Sequence, residues 1–183
     1  NINVSANIKN PNTIGNYTLL AYTSRDPVAM ESSPAYKTGK QITVPTVSIS
    51  PNTYQSASQY AIGFYVSDNG FISYLNNDYI EVVLPSGTMV PASISYSYVS
   101  INGKTAQKII VDKQNIKVYL PTGMTIYPNG YTGLVFYPQA GIKNPTAGTY
   151  QLKIRTSKDS SFVTSQNYVT VGAPSSSGGS NTT

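Results

Sequence analysis

Two turns rich in Asp and Asn carry the residue types that bind a hard cation. The triplets Asp68-Asn69-Gly70 and Asn76-Asn77-Asp78 place carboxylate and amide oxygens close together along the chain. Calcium takes about six to eight oxygen ligands, whereas these turns hold only two carboxylates and show no EF-hand spacing. Turns of this composition also form without metal. Asp68 and Asp78 are therefore weak calcium candidates, and the sequence predicts no metal and no cofactor.

The composition excludes several catalytic mechanisms. The 183 residues contain no Cys and no His, which removes a thiolate nucleophile, a Ser-His-Asp triad and the usual kinds of zinc site. A glycosidase would need a placed pair of carboxylates, but the seven acidic residues are scattered along the chain. We therefore expect that the protein is not an enzyme.

A self-formed Lys–Asn isopeptide bond would require a buried acid beside a buried Lys and Asn. Side chains alternate between the two faces of a strand, and this alternation places Glu81 on the outward face of its strand. Asp112 flanks another strand. The sequence predicts that neither acid is buried, so this chemistry is not expected.

Tyrosine is abundant, with 16 copies, and the chain contains no Trp. Two Tyr-rich stretches stand out, SISYSYVS (93–100) and NGYTGLVFYPQ (129–139). They could form stacking platforms for sugars, or they could serve packing and protein interfaces. Without Trp, packing or an interface is the favoured interpretation.

The charge is weakly basic, with 12 Lys and Arg against seven acidic residues. The densest run is Lys104, Lys108, Lys113 and Lys117, in a stretch that reads as two short strands around a turn. A nucleic-acid site would need a concentrated basic face, so no nucleic-acid partner is expected. No apolar stretch reaches 18 residues, so no membrane span is predicted.

The hydrophobic pattern predicts β-strands throughout. Apolar residues alternate with polar ones in YAIGFYV (60–66), DYIEVVLP (78–85), NIKVYLP (115–121) and TYQLKIRT (149–156). Turn signals containing Gly, Pro and Asn separate these segments, and no window keeps a helical period. We predict an all-β, Ig-like antiparallel β-sandwich.

The chain repeats its own closing phrase near its beginning. ANIKNPNTIGNYTLLAYTSRD (6–26) matches AGIKNPTAGTYQLKIRTSKD (140–159) with one inserted residue. Residues 1–39 therefore resemble the last three strands of a sandwich, residues 40–172 supply one complete copy, and residues 173–183 form a linker or tail.

A partial copy cannot hide its apolar face alone, because isolated hairpins are marginal in water and open sheet edges pair. It could belong to an upstream domain, fold back as extra strands, or complete a sheet in a neighbouring subunit. The last option makes a head-to-tail contact that generates a filament. Its expected apolar anchors are Ile8, Tyr17 and Leu19, with Lys9-Asn10-Pro11 fixing the bend.

The low charge and the many Asn, Ser, Thr and Tyr residues are typical of extracellular surfaces. The chain starts with Asn1 rather than Met and shows no signal peptide, which predicts a processed secreted protein or a fragment. Three sequons, at Asn3, Asn16 and Asn181, could carry N-glycans.

These motifs resemble the Ig-like β-sandwich repeats of secreted cell-surface, S-layer-type proteins of bacteria and archaea. The resemblance rests on IEVVLPSGTMVP (80–91), VSING (99–103) and the closing phrase AGIKNPTAGTYQLKIRTSKD. It implies an extracellular structural module with no catalytic residues. We expect a subunit of an extracellular filament or surface layer whose partners are copies of itself. The alternative is an adhesion or carbohydrate-binding stalk module that binds cell-surface glycans.

Overall fold

The computed structural model describes residues 15–18, 20–21, 23–26, 28, 30–31, 36–38 and 41–173. The chain divides into two compact units, Asn1–Lys40 and Gln41–Thr183. The described residues form short strands joined by turns and single 3-10 turns, as the period-two pattern predicts. Among them, no helix is long and apolar enough to cross a membrane.

The N-terminal unit contains four short strands in its described part, where the sequence predicted three. The strands are β1 Gly15–Tyr17, β2 Leu20–Ala21, β3 Met30–Glu31 and β4 Tyr36–Thr38. They form two antiparallel pairs, β1 with β4 and β2 with β3. The fourth strand arises because the stretch containing Tyr17 and Ala21, which the sequence pattern treats as one strand, forms β1 and β2, and these pair with different strands.

The larger unit carries the remaining strands. They are β5 Thr46–Ser50, β6 Gln59–Tyr65, β7 Ile72–Ser73, β8 Tyr79–Val83, β9 Val99–Ile101, β10 Lys104–Thr105, β11 Ile109–Asp112, β12 Asn115–Tyr119, β13 Thr125–Ile126, β14 Tyr131–Phe136, β15 Gly148–Tyr150, β16 Lys153–Thr156, β17 Val163–Thr164 and β18 Tyr168–Thr170.

Two five-stranded sheets dominate this unit. The first sheet has the order β10-β9-β14-β6-β5 and the second has the order β11-β12-β8-β16-β17. Neighbouring strands in both sheets are antiparallel. Apolar side chains from both sheets form one buried core. The predicted all-β antiparallel sandwich is therefore confirmed.

The core follows the alternation read from the sequence. Ile80, Val82 and Leu84 of the β8 segment are buried, and the corresponding residues of β6 and β12 are buried as well. Glu81 lies on the outer face, as predicted, but only 2% of its surface is exposed. The expectation that this acid is unburied was wrong, because neighbouring strands cover its carboxylate.

The turn expected within the lysine-rich stretch is present. Lys113 adopts a left-handed backbone conformation with φ of 55° between β11 and β12, and the two strands pair directly. Lys117 therefore lies on the outer face of the second sheet, beside Tyr79 of the adjacent strand.

Several predicted positions lie outside the described residues. These are Asn3, Ile8, Leu19 and Asn181, and most of the 173–183 tail. Asn16 and Tyr17 lie in β1, but their side chains are likewise outside the described part.

Candidate functional site

The two copies of the closing phrase form the same turn. Thr156 N donates to the carbonyl of Asp159 at 3.2 Å, and Asp159 N donates to Thr156 Oγ1 at 2.8 Å. In the N-terminal copy, Thr23 N donates to the carbonyl of Asp26 at 3.0 Å, and Asp26 N donates to Thr23 Oγ1 at 3.0 Å. The repeated Thr-Ser-x-Asp sequence thus encodes a local hydrogen-bonded turn in both places.

Strand register is also the same in the two copies. We call residues 15–38 the N-terminal segment and residues 148–170 the closing segment. The pairs Gly148–Thr170 and Tyr150–Tyr168 correspond to Gly15–Thr38 and Tyr17–Tyr36, and Lys153–Thr164 and Ile154–Val163 correspond to Leu20–Glu31 and Ala21–Met30. The repeat is therefore structural as well as sequential, over four strands.

Asn144 anchors the chain just before the closing segment. It is fully buried, and its side-chain NH2 lies 2.8–2.9 Å from three acceptors, namely Ser58 Oγ and the carbonyls of Pro51 and Thr53. Its Oδ1 accepts from Tyr60 Oη at 2.9 Å. Burial raises the pKa of Tyr60, so this hydroxyl stays protonated as a donor. Asn144 of the second Lys-Asn-Pro motif therefore binds the loop that precedes β6, whereas the matching Lys9-Asn10-Pro11 is predicted from the sequence only to fix a bend.

Asp159 anchors the middle of the closing segment. Its carboxylate is fully buried and accepts from the Ser67 backbone N at 3.1 Å and from the Ser67 hydroxyl. Gly70 completes the contact, because a Cβ there would lie 2.7 Å from Asp159 Oδ2. The turn after β6 is therefore built around this carboxylate.

The strands of the closing segment complete the second sheet. β16 pairs with β8 through Ile154 opposite Val82 and Lys153 opposite Val83. We call the surface that holds Asn144 and the closing segment the acceptor surface, and it comprises Ser58, Tyr60, Ser67 and β8. β12 pairs with one edge of β8 and β16 pairs with the other. The acceptor surface in this chain is therefore filled by its own closing segment.

Counterpart side chains differ sharply in exposure. Val163 of the closing segment is 5% exposed, whereas Met30, its counterpart in the N-terminal segment, is 69% exposed. Leu20 and Val28 of the N-terminal segment are also largely exposed. Burying side chains of this size releases about 1.5–3 kcal/mol each. Met30 is thus exposed at a position whose counterpart is buried, whereas the counterparts of Leu20 and Val28, Lys153 and Ser161, are not buried.

The outer face of the second sheet carries a buried ion pair. Asn115 Nδ2 donates to Glu81 Oε1 at 2.8 Å, and Arg155 donates through Nε and Nη2 to Glu81 Oε2 at 2.8 Å each. Burial alone would raise the pKa of Glu81, but these hydrogen bonds and the charges of Arg155 and Lys117 lower it below its usual value. Glu81 therefore stays ionised, bound to partners on both adjacent strands.

Two packed tyrosine rings lie between two lysines on this same face. Lys108 Nζ lies 5.4 Å from the Tyr119 ring centre, Tyr119 packs 5.6 Å from Tyr79, and Lys117 Nζ lies 5.0 Å from the Tyr79 ring centre. Such contacts each contribute about 0.5–1 kcal/mol at exposed sites. Together they fix the orientation of the lysines that the sequence left as a solvated rim.

An open groove of about 1,020 Å³ begins where this row ends. We call it the tyrosine groove. It is lined by Asn77, Ser93, Ile94, Ser95, Tyr96, Gln107, Lys108, Ile109 and Tyr119. The first Tyr-rich stretch thus supplies one wall, and the start of β11 and the end of β12 supply the other.

A smaller groove of about 230 Å³ lies on the outer face of the first sheet. Gly63 and Gly133 stand opposite each other on β6 and β14, and the Tyr131 side chain crosses both. A Cβ on Gly63 would lie 2.7 Å from Tyr131 Oη. The second Tyr-rich stretch therefore covers bare backbone here, which is a packing role.

The calcium candidates have different surroundings. Asp68 is exposed and accepts from Asn69 Nδ2 at 3.2 Å. Asp78 is buried and accepts from Ser73 N at 2.9 Å and Ser157 Oγ at 2.6 Å. The described residues contain no group of three or more acidic side chains that could hold a metal. Asp78 thus stabilises the turn before β8.

Sequence reasoning missed Asn144 and Asp159, which the structure makes the anchors of the closing segment. A signal for them was present, because the repeat preserves both residue types, as Asn10 and Asp26. Their partners lie 84 to 93 positions away along the chain, so only the fold identifies what they bind.

No protein-family model matches the chain, and no curated protein matches it. Similar solved structures include BslA, a bacterial hydrophobin, with a TM-score of 0.46 and 17% identity over 74% of this chain and all of that chain. Another contains manganese lipoxygenase of Gaeumannomyces graminis and part of zonadhesin of Komagataella pastoris, with a TM-score of 0.38 and 16% identity over 73% of this chain and 47% of that chain.

A third is a GH20 exo-β-N-acetylglucosaminidase from Vibrio harveyi in complex with N-acetylglucosamine. It has a TM-score of 0.33 and 12% identity over 75% of this chain and 18% of that chain. At these identities and TM-scores, the likenesses to the three structures carry no conclusion about function.

Proposed function

We propose that the protein is a structural subunit of an extracellular filament or surface layer, in which copies join head to tail by strand donation. The observation that supports this most directly is the repeated register of the N-terminal and closing segments. A segment that reproduces the strand pairs and the central turn of another can take its place on an acceptor surface. The Ig-like, S-layer-type resemblance of the sequence agrees with this role.

Each subunit then offers one acceptor surface and two segments that fit it. The resident closing segment is tethered beside its own acceptor surface, which gives it a high effective concentration. Donation to a neighbour therefore proceeds by exchange and requires densely packed copies, the condition met in a filament or layer. Burial of Met30 at the position that Val163 occupies favours the entering segment.

Disulfide trapping tests this directly, because the chain has no native Cys. In the exchanged state, Leu20 would stand opposite Val83 of the neighbour, as Lys153 does within the chain. Antiparallel partners lie about 4.5–5.5 Å apart at Cα, within disulfide reach. The Leu20→Cys/Val83→Cys variant should give a ladder of linked subunits on a non-reducing gel after concentration and oxidation.

Two matched pairs control the trapping. Lys153→Cys/Val83→Cys should close within one chain and prove that the position can be oxidised. Leu20→Cys/Tyr127→Cys pairs two exposed but unmatched positions and should give no ladder. A link formed only within single Leu20→Cys/Val83→Cys chains would refute donation between subunits, as would the absence of any link. Negative-stain electron microscopy of the same samples should show filaments.

A second candidate function is carbohydrate binding by an adhesion or stalk module. The observation that favours it is the tyrosine groove, whose lining combines the exposed ring of Tyr96 and the half-buried ring of Tyr119 with amides and hydroxyls. Sugars present apolar ring faces and many hydroxyl groups, which such linings match. A glycan array probed with the native chain tests this function, and an array without specific binding would exclude it.

A further inference from the structure

We propose that the tyrosine groove binds an acidic polysaccharide, one whose sugar units carry carboxylate groups. This inference rests on the second candidate function, carbohydrate binding, and is independent of strand donation. It is carried by three features of the groove, namely its shape, its uncommitted polar groups and its charge.

The shape suits a chain molecule rather than a compact ligand. The groove volume of about 1,020 Å³ lies at the upper end of the usual range for ligand sites, roughly 300–1,000 Å³. Tyr96 stands on the 3-10 turn Tyr96–Tyr98 with 56% of its surface exposed. Tyr119 faces the groove from the end of β12. Two rings on opposite walls can pack against successive sugar faces.

Two amides in the lining have no partner elsewhere in the described part of the chain. The side chains of Asn77 and Gln107 are exposed and make no hydrogen bond within the described residues. Each amide offers both donors and an acceptor, which matches adjacent sugar hydroxyls. Asn77 is held by its backbone, with φ of 53° and a hydrogen bond from its N to the Tyr74 carbonyl at 3.0 Å. Its side chain is therefore presented from a fixed turn.

Lys108 is the only charged residue among the described residues that line the groove. Its ammonium lies beside the Tyr119 ring, and Lys117 continues the positive charge along the sheet. With no carboxylate in this lining, an anionic ligand meets attraction and no repulsion. A single lysine among amides and hydroxyls fits isolated sugar carboxylates, whereas a nucleic acid would require a row of phosphate contacts.

Calorimetric titration of the full chain tests the proposal with three defined probes. These are a galacturonic acid hexamer, a maltose-type glucose hexamer and a single-stranded oligo-dT. The acidic hexamer should bind, with an affinity that falls as salt is raised. Tyr96→Ala and Lys108→Ala should each weaken binding about tenfold. Tyr127→Ala and Lys153→Ala remove the same groups from exposed positions outside the groove and should leave the affinity unchanged.

The other outcomes each overturn the proposal in a distinct way. Equal or better binding of the neutral hexamer would overturn the acidic specificity but leave carbohydrate binding standing. Binding of neither sugar would overturn the acidic-polysaccharide proposal, and a glycan array without specific binding would overturn carbohydrate binding as well. Equal binding of oligo-dT, or equal losses from the groove and control variants, would show nonspecific charge attraction instead.

Discussion

The N-terminal and closing segments share sequence, strand register and a central turn, yet their side chains are in different states. In the closing segment, Asp159 is fully buried against Ser67 and Val163 is 5% exposed. In the N-terminal segment, Asp26 is exposed and Met30 is 69% exposed. Local sequence is thus sufficient for the turn and the hairpin pairing, whereas burial depends on an acceptor surface. The following changes test this distinction, from the largest expected effect to the smallest.

Asn144→Ala should destabilise the larger unit most. The change leaves the buried Tyr60 Oη without its partner and removes three further hydrogen bonds, to Ser58 Oγ and to the carbonyls of Pro51 and Thr53. An unsatisfied buried group costs about 1–3 kcal/mol and each lost hydrogen bond about 1 kcal/mol, so we expect a loss of about 3 kcal/mol or more in urea unfolding. Asn10→Ala, at the matching position of the repeat, should leave this unfolding transition unchanged. Equal losses of stability from Asn144→Ala and Asn10→Ala would contradict the claim that only the second copy depends on a buried anchor.

Asp159→Ala should cost about 2–3 kcal/mol, because it removes a carboxylate that accepts two hydrogen bonds in a buried turn. Asp26→Ala changes an exposed residue and should stay within about 0.5 kcal/mol. If the two segments compete for one acceptor surface, the two changes should also act oppositely in disulfide trapping. Weakening the resident segment by Asp159→Ala should strengthen the Leu20–Val83 ladder, and Asp26→Ala should weaken it.

Glu81→Gln should reduce stability by about 1–3 kcal/mol at neutral pH and remove part of its pH dependence. The pKa of Glu81 is lowered in the fold. The carboxylate therefore stabilises the protein above the ordinary unfolded value of about 4.3, and this contribution is lost as pH falls through the lower folded pKa. The stability gap between the native chain and the variant should shrink below about pH 4. A gap that stays constant with pH would refute the ionised pair.

Gly63→Ala should have the smallest effect, about 1 kcal/mol, because the atoms nearest to the new Cβ belong to the side chains of Tyr131 and Thr46 and not to the backbone. The Tyr131 ring should leave the glycine pair, which chemical nitration of Tyr131 would detect as faster reaction. Gly133→Ala is the matched control, since its Cβ would make an ordinary 3.4 Å contact with the same ring. Similar nitration rates in the two variants would contradict this role for Gly63.

The period-two pattern predicted the fold class and the core of the main strands because strand geometry is local. Ile80, Val82 and Leu84 follow it, and all are buried. The same pattern placed Glu81 outward but could not show that Arg155 and Asn115, from the strands on either side, would cover it. Whether a polar side chain is buried depends on which strands lie beside its own, and the sequence alone does not identify those strands.

The same limit applies to the candidate site, because its neighbours in space could not be identified from the sequence. The Tyr-rich stretches were visible as possible sugar platforms or packing surfaces, but the fold separated them. Tyr131 lies over paired glycines, whereas Tyr96 lines an open groove with Gln107 and Lys108. By residue type alone, both stretches could have served sugar binding or packing. The position of each stretch in the fold determined which tyrosine ring has open space beside it.

The sequence by itself determined that this protein has no Cys or His chemistry, that its segments are strands, and that its closing phrase occurs twice. These properties follow from residue type and from spacing between near neighbours. The tertiary structure decided that Asn144 and Asp159 are anchors, that Glu81 is buried in a charged cluster, and that the acceptor surface is filled. Each of these depends on contacts between residues far apart in the chain, because antiparallel sheets bring together strands whose order the local pattern does not encode.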